Sequence, residues 1–328
     1  MMSSRVKSLA LVGCVCWTAA APVFASPCHL ARVEQNLPDP DTLFAEGAYH
    51  VYVTNGELGN VPVLRSDDLI SFEEVGDALP RLPDWARRGF TWAPEVTHLE
   101  VSDSYVLYFT ARHGSMQCIG VATSADPAGP FEPIEEGPLI CPIAEGGAID
   151  ASTFEDVDGR RYLLWKNDGN CCGIDTWISI QELSGDGLQL VGEATRLIQQ
   201  ELPWEGRVVE APTLWLEDGR YYLFYSANAF NENYAMGYAV ADDILGPYTK
   251  SETPLLRSSV EQGVIGPGGQ DIVRREDGST VVVYHSWSED MKLRGLNVDE
   301  LRWSDGVPEV VTNCVADGKQ VTDRSQSR

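Results

Sequence analysis

The sequence predicts an all-β chain folded as a five-bladed β-propeller, and three observations predict it. First, five runs share one pattern, a turn followed by an apolar, mostly aromatic strand, at 47–53, 103–109, 159–165, 219–225 and 278–284. Their turn residues stand 56, 56, 60 and 59 residues apart, and a sustained period of that size means repeated supersecondary units. Second, no amphipathic helical stretch interrupts the runs, so each unit is built from strands alone. Third, two units continue in near-copies: Val121-Ala122-Thr123-Ser124 then Gly129-Pro130-Phe131, and Tyr238-Ala239-Val240-Ala241 then Gly246-Pro247-Tyr248. Five strand-only units closed around an axis are the natural solution.

Residues 1–25 read as an export signal. Met1 to Lys7 carry positive charge, Leu9 to Trp17 are mostly apolar, and Val23-Phe24-Ala25 ends in a small residue suited to signal peptidase. A second reading treats Leu11-Val12-Gly13-Cys14 as a lipoprotein cleavage box, with the lipid on Cys14. The expected product is secreted or periplasmic. Residues 26–328 are expected to form one propeller domain without a transmembrane segment, as a monomer. Six cysteines remain after the signal, an even count that suggests disulfides in an exported chain. Cys28 and Cys314 sit near the two ends and would close the ring. Cys118 and Cys141 would staple one loop. The adjacent Cys171 and Cys172 either bond to each other or have two partners elsewhere.

The net charge is -25 and the pI about 4.4. Such a surface repels nucleic acid and anionic lipid, which excludes both as partners. A neutral polysaccharide or oligosaccharide is compatible with it.

Eight or nine residues before the five turns stand Asp39, Glu95, Asp150, Glu210 and Gly269. The first strand of each blade runs beside the axis, so equivalent positions converge at one end of it. Four of these five are carboxylates. Any one of them reads as a turn or strand cap. Together, in one register, they point to acid/base chemistry or a metal. With no Ser/His pair among them, the chemistry that suits two or three carboxylates in an open funnel is glycoside hydrolysis. A protonated carboxyl donates to the leaving oxygen and an ionised one activates water. Val208, Val209, Ala211 and Pro212 surround Glu210 in sequence and would disfavour its ionised form, as a general acid requires.

At this point the sequence resembles glycoside hydrolase family 43, a family of five-bladed propellers, over nearly the whole mature chain. The resemblance rests on Asp39-Pro40 near the N-terminus, on Trp92-Ala93-Pro94, on Ile149-Asp150-Ala151-Ser152-Thr153-Phe154, and on Val209-Glu210-Ala211-Pro212. It implies Asp39 as general base, Glu210 as general acid, and Asp150 as the residue that tunes and orients the acid. It also implies that Trp92 lies against the sugar. No cofactor is required, although many members hold a central calcium or sodium ion beside a blade-five His. Here that stretch is Gly266-Pro267-Gly268-Gly269-Gln270-Asp271, with no His at Gly269, so Gln270 or Asp271 would replace the ligand or water would fill the site.

The remaining substrate-binding candidates are Glu95, Arg112, His113, Trp165, Gln270 and His285, chosen for funnel proximity or for stacking on sugar rings. Trp204 is a further stacking candidate. The function expected is an inverting glycosidase acting on arabinose- or xylose-containing polysaccharide, with α-L-arabinofuranosidase or arabinanase favoured over β-xylosidase. A catalytically silent carbohydrate-binding propeller is the alternative from another class, and the intact trio argues against it. A glycoside phosphorylase ranks last, because it needs a basic phosphate pocket where Asp39 stands. Loops 76–90 and 167–176 decide between a closed pocket and an open groove.

Overall fold

The computed structural model describes residues 29–312 apart from 101 and 135. Strand β1 is Ala31–Val33. Blade one follows as β2 Asp41–Ala45, β3 Ala48–Tyr52, β4 Pro62–Ser66 and β5 Glu73–Asp77, and blade two as β6 Arg87–Leu99, β7 Ser104–His113, β8 Met116–Ser124 and β9 Glu132–Pro133. Blade three comprises β10 Ala148–Glu155, β11 Arg161–Asn167, β12 Trp177–Leu183 and β13 Leu190–Gln199. Blade four comprises β14 Val209–Glu217, β15 Arg220–Ala227, β16 Ala235–Ala241 and β17 Thr249–Lys250. Blade five has β18 Gly268–Arg274, β19 Thr280–Trp287, β20 Arg294–Ser304 and β21 Val307–Val311. Blades one to four are antiparallel meanders, paired in sequence order. Blade five takes the N-terminal β1 and then β21 one after the other along the same edge of β20, so both ends of the described chain complete one sheet.

The five periodic runs are the second strands β3, β7, β11, β15 and β19. Each is sandwiched between neighbouring blades, so both its faces are buried and its sequence is nearly all apolar. The turns before them behave as the residue types require. Asp218 (φ 49°) and Gly219 (φ 74°) both adopt the left-handed backbone of a two-residue hairpin between Glu217 and Arg220. The core is five apolar clusters, one in each gap between blades. Three single-turn 3-10 helices, Ile143–Glu145, Gly169–Cys171 and Pro203–Glu205, are the only helices among the described residues.

Among the described residues two disulfides form, Cys118–Cys141 and the vicinal Cys171–Cys172. Residues 1–25, expected to be an export signal, and Cys14, Cys28 and Cys314 lie outside the described residues. No described helix is long and apolar enough to cross a membrane.

Candidate active site

Four of the five inner strands break their register where they reach the axis, and only β2 pairs without a slip. Pairing slips between Trp92 and Glu95, Ile149 and Ser152, Glu210 and Thr213, and Gly268 and Asp271. Within each slip one residue has a left-handed backbone: Ala93 (φ 38°), Asp150 (57°), Ala211 (50°) and Gly269 (56°), with Asp39 (54°) at the same place ahead of β2. Such bulges re-aim side chains at the end of a strand. They also correct the register counted back from the turns. Asp39 and Asp150 are equivalent, but Glu210 stands one residue before its blade's bulge residue and Glu95 stands two after. A cavity of about 40 Å³ on the axis is lined by Asp39, Asp150 and Gly269, and by Asp41, Glu95 and Asp271.

A ring of side chains fixes these backbones. Seven residues after each turn stand Thr54, Thr110, Lys166, Ser226 and His285. Four of them accept the N–H of the left-handed residue in the next blade: Thr54 Oγ1 from Ala93 (2.9 Å), Thr110 Oγ1 from Asp150 (3.2 Å), Ser226 Oγ from Gly269 (2.9 Å) and His285 Nδ1 from Asp39 (3.1 Å). Lys166 has no acceptor to offer. In its place Asp150 Oδ2 accepts the Ala211 N–H at 2.9 Å.

Asp39 is gripped from several sides. Thr54 Oγ1 donates to its Oδ2 (2.7 Å), and Arg294 Nη1 donates to its Oδ1 (3.3 Å). Burial alone pushes this carboxyl up, but the guanidinium and the hydroxyl outweigh it and hold its pKa below the usual value. Burial, then Arg294, pushes the His285 imidazole down to about 3, so the ring is neutral and its Nδ1 is free to accept. Gly269 belongs to the same arrangement: a Cβ there would stand 2.7 Å from His285 Nδ1 and 2.8 Å from Asp39 Oδ1.

Asp150 and Glu210 form the opposite pole. Burial, then the charge of Glu210, pushes the Asp150 pKa up to about 8. Glu210 Oε1 accepts the Tyr234 hydroxyl at 2.8 Å, and its Oε2 lies 3.2 Å from Lys166 Nζ. The expected control of Glu210 by apolar neighbours is therefore corrected. Val209 turns into the core between blades three and four, while the carboxylate meets an ammonium, a phenol and Asp150. The group driven to hold a proton is Asp150. An ionised carboxylate at one pole and a proton-holding Asp150 at the other is the division that general-base and general-acid chemistry needs.

The other candidates separate. Trp92 is half-buried in β6, one residue before Ala93 and so equivalent to Glu210, with its ring 6.4 Å from Phe90. Arg112 and His113 end β7 on the rim: the Arg112 guanidinium lies 4.6 Å over Phe90, and His113 packs edge-on against Trp85. Glu95 is a strut, its Oε1 accepting from the Thr153 N–H (2.7 Å) and hydroxyl (2.5 Å) of the next blade. Trp165 is buried in the core between blades two and three, and Trp204 stacks on Tyr225 above Gly237. Gln270 has its amide engaged on both sides, donating to Ala211 O (2.7 Å) and accepting from Ser226 Oγ (2.7 Å). His285 orients Asp39 from a fully buried position. Glu95, Trp165, Gln270 and His285 thus all make scaffold contacts, and Glu95 and Gln270 also line the axial cavity.

The central ion that the resemblance implies would have to draw its ligands from the donors around the axis. Asp41 accepts the Val96 N–H and Asp271 the N–H groups of Thr42 and Ile272, while Gln270 is engaged as described. Among the described residues no group of three or more His, Cys, Asp or Glu is arranged to hold a metal. The residues present do not fit such an ion.

Thr54, Lys166, Tyr234 and Arg294 were not found by reading the sequence. The first two are detectable, because each lies seven residues after a turn of the repeat. Tyr234 and Arg294 fall outside that register and reach the site only through the paths of the blade-four loop and β20.

Comparison with known proteins agrees with the geometry. The pattern of Glycosyl hydrolases family 43 matches residues 32–308. An extracellular endo-alpha-(1->5)-L-arabinanase of Bacillus subtilis is 26% identical over 330 residues, covering 92% of this chain and 95% of its own. An extracellular exo-alpha-(1->5)-L-arabinofuranosidase of Streptomyces avermitilis is 26% identical over 289 residues, covering 81% of this chain, which spans only 58% of that relative's length. Among solved structures, a thermostable family-43 glycoside hydrolase superposes with a TM-score of 0.76 at 32% identity, covering 84% of this chain and 92% of that one. An endo-1,4-beta-xylanase of Bacteroides thetaiotaomicron gives 0.74 at 32% identity, with 85% and 96% coverage. A five-bladed propeller, an acid/base constellation at its axis and a family match over residues 32–308 lead to one conclusion: the chain belongs to glycosyl hydrolases family 43 and is a glycoside hydrolase.

Proposed function

We propose that this chain is an exported, inverting glycosidase that releases or cleaves α-L-arabinofuranosyl units in arabinose-containing polysaccharide. The observation that carries the reading is the opposed electrostatics of the two poles. Asp39 is held ionised by Arg294 and Thr54, whereas Asp150 retains a proton beside Glu210. In this reading Asp39 draws a proton from the attacking water. Glu210 gives a proton to the departing oxygen, and Asp150, sharing that proton, tunes and orients it. Tyr234 and Lys166 hold Glu210 in place, and Trp92 lies against the sugar. Arg112 and His113, on the blade-two rim, are proposed to contact substrate further from the cut bond.

Arabinan is favoured because two relatives matched over most of this chain are described as an endo-alpha-(1->5)-L-arabinanase and an exo-alpha-(1->5)-L-arabinofuranosidase, and both are described as extracellular, which supports export. The second reading is action on β-xylosidic bonds, which the 32% identical xylanase structure favours. The test compares the wild type with Glu210→Gln on linear arabinan, arabinoxylan, an aryl α-L-arabinofuranoside and an aryl β-D-xyloside, in phosphate-free buffer. Arabinose or arabino-oligosaccharide release by the wild type alone supports the assignment, and product size separates exo from endo action. Xylose release alone moves it to the second reading. No release, or equal release by the variant, overturns it.

A further inference from the structure

Lys166 breaks the pattern of the ring. At the same place seven residues after the turn, the other four blades present an acceptor that takes the next blade's N–H. Blade three alone presents a donor-only cation, with its side chain fully buried. It does so in the blade immediately before Glu210. A buried ammonium is costly unless every proton is matched, and here three acceptors surround it: Glu210 Oε2 at 3.2 Å, Asp168 Oδ1 at 3.6 Å and Asn170 Oδ1 at 2.5 Å. Two of the three lie on one short loop just after β11. That loop makes a single 3-10 turn, with the Cys171 N–H donating to Asp168 O (3.2 Å) and the Cys172 N–H to Gly169 O (2.9 Å). The vicinal Cys171–Cys172 disulfide closes it directly after Asn170. Asn167 anchors its far end, donating to Asp175 O and accepting from the Trp177 N–H.

We propose that Lys166 is a positioning residue for the general acid, with its ammonium aimed at Glu210 Oε2 by Asp168 and Asn170 on a loop that the vicinal disulfide locks. The proposal rests on the reading of Glu210 as the acid. When Glu210 gives its proton to the leaving oxygen, it becomes a carboxylate in a buried site, and a cation already in place stabilises that charge as it forms. The disulfide matters because a free 170–172 segment would let Asn170 swing away from Nζ and leave the ammonium to drift toward Asp168. Nothing in the two-carboxylate chemistry itself requires Lys166 or the adjacent cysteines.

The test measures leaving-group dependence, which a merely structural role does not change. Wild type, Lys166→Met, Lys166→Gln, Asn170→Ala and the double variant Cys171→Ser/Cys172→Ser are assayed on an arabino-oligosaccharide, whose leaving group needs a proton, and on a dinitrophenyl α-L-arabinofuranoside, whose leaving group does not. Thermal melting verifies that each is folded, and Lys166→Gln, which keeps amide donors, covers the case in which Lys166→Met fails to fold. Expected are a kcat loss of about 100-fold for the Lys166 variants on the oligosaccharide against less than about tenfold on the dinitrophenyl substrate. The two loop changes should show the same selectivity at about tenfold. Equal loss on both substrates, or none on either, for the Lys166 variants overturns the proposal. A selective loss at Lys166 with none in the loop variants overturns the role of the loop and its disulfide. Glu210→Gln is run alongside: if it lacks the selective loss, the reading of Glu210 as acid fails first, and that result is distinct from a failure at Lys166.

Discussion

Asp150 concentrates the electrostatic argument in one carboxyl. Its folded pKa of about 8 lies above its ordinary value of 3.8, so between these the folded chain binds a proton that the unfolded chain lacks. The stability this contributes is complete below the lower value and is lost as pH rises through about 8. Wild-type melting should therefore fall more steeply between about pH 5 and about pH 9 than that of Asp150→Asn, which has nothing to titrate. The kcat/KM profile should bend downward near the same upper value, as the proton shared with Glu210 is lost; a profile flat to pH 9.5 or beyond, about 1.5 units higher, would refute it. A second residue-scale prediction concerns Gly268. A Cβ there would run into the ring of Tyr234, whose hydroxyl holds Glu210 Oε1. Gly268→Ala should cost about tenfold to 100-fold in kcat through that displacement, and Tyr234→Phe, which deletes only the hydroxyl, should reproduce a large part of the loss. Full activity in Tyr234→Phe would detach the glycine's effect from Glu210.

The strand is the level at which the sequence was both most and least legible. The second strands were readable because burial on both faces makes them apolar and aromatic throughout, and two-residue turns announce their start. Two of the inner strands were misaligned, that of blade two by two residues and that of blade four by one, because the bulges leave no residue signal of their own: Ala93, Asp150, Ala211 and Gly269 share a backbone shape, not a side chain. Glu210 survived the misalignment because its chemistry stands out. Glu95 did not. It belongs to a deeper layer in which Asp41, Glu95 and Asp271 each accept an N–H from the following blade, at Val96, Thr153 and Thr42. Burial pushes all three carboxyls up, and the charge of Glu95 adds to the rise at Asp41 and Asp271. Their stabilisation is likewise lost as pH rises. Glu95→Gln keeps the carbonyl acceptor for Thr153 but removes the charge from the layer. It should leave the stability at pH 5 within about 0.5 kcal/mol of wild type and raise it at pH values above neutrality, measured by calorimetry across pH. Equal destabilisation at both ends would show that Glu95 is needed as a carboxylate.

At the scale of the whole molecule, the ring depends on how its two ends meet. Strand β1 lies on β20 through Ala31–Val298 and Val33–Leu296, and both Ala31 and Val33 are buried in the cluster between blades five and one. The chain then runs along the start of β20, where the Leu37 N–H donates to Arg294 O (2.9 Å) and the Arg294 N–H to Asn36 Oδ1 (3.1 Å), before delivering Asp39 to His285 and Arg294. The closing seam and the seating of Asp39 are therefore one structure, and damage to the seam should reach the chemistry. Val33→Asp places a charge in that apolar gap and should cost about 3 kcal/mol or more. Val75→Asp is the control, since Val75 lies 47% exposed on β5, the outer strand of blade one, where a charge should change stability by less than about 0.5 kcal/mol. Denaturant unfolding of both, followed by kcat/KM on the folded fraction, separates the possibilities. A lower midpoint and reduced activity in Val33→Asp alone fit a ring whose closure positions Asp39. A lower midpoint with wild-type activity in the folded fraction would mean that His285, Thr54 and Arg294 seat Asp39 without the help of β1.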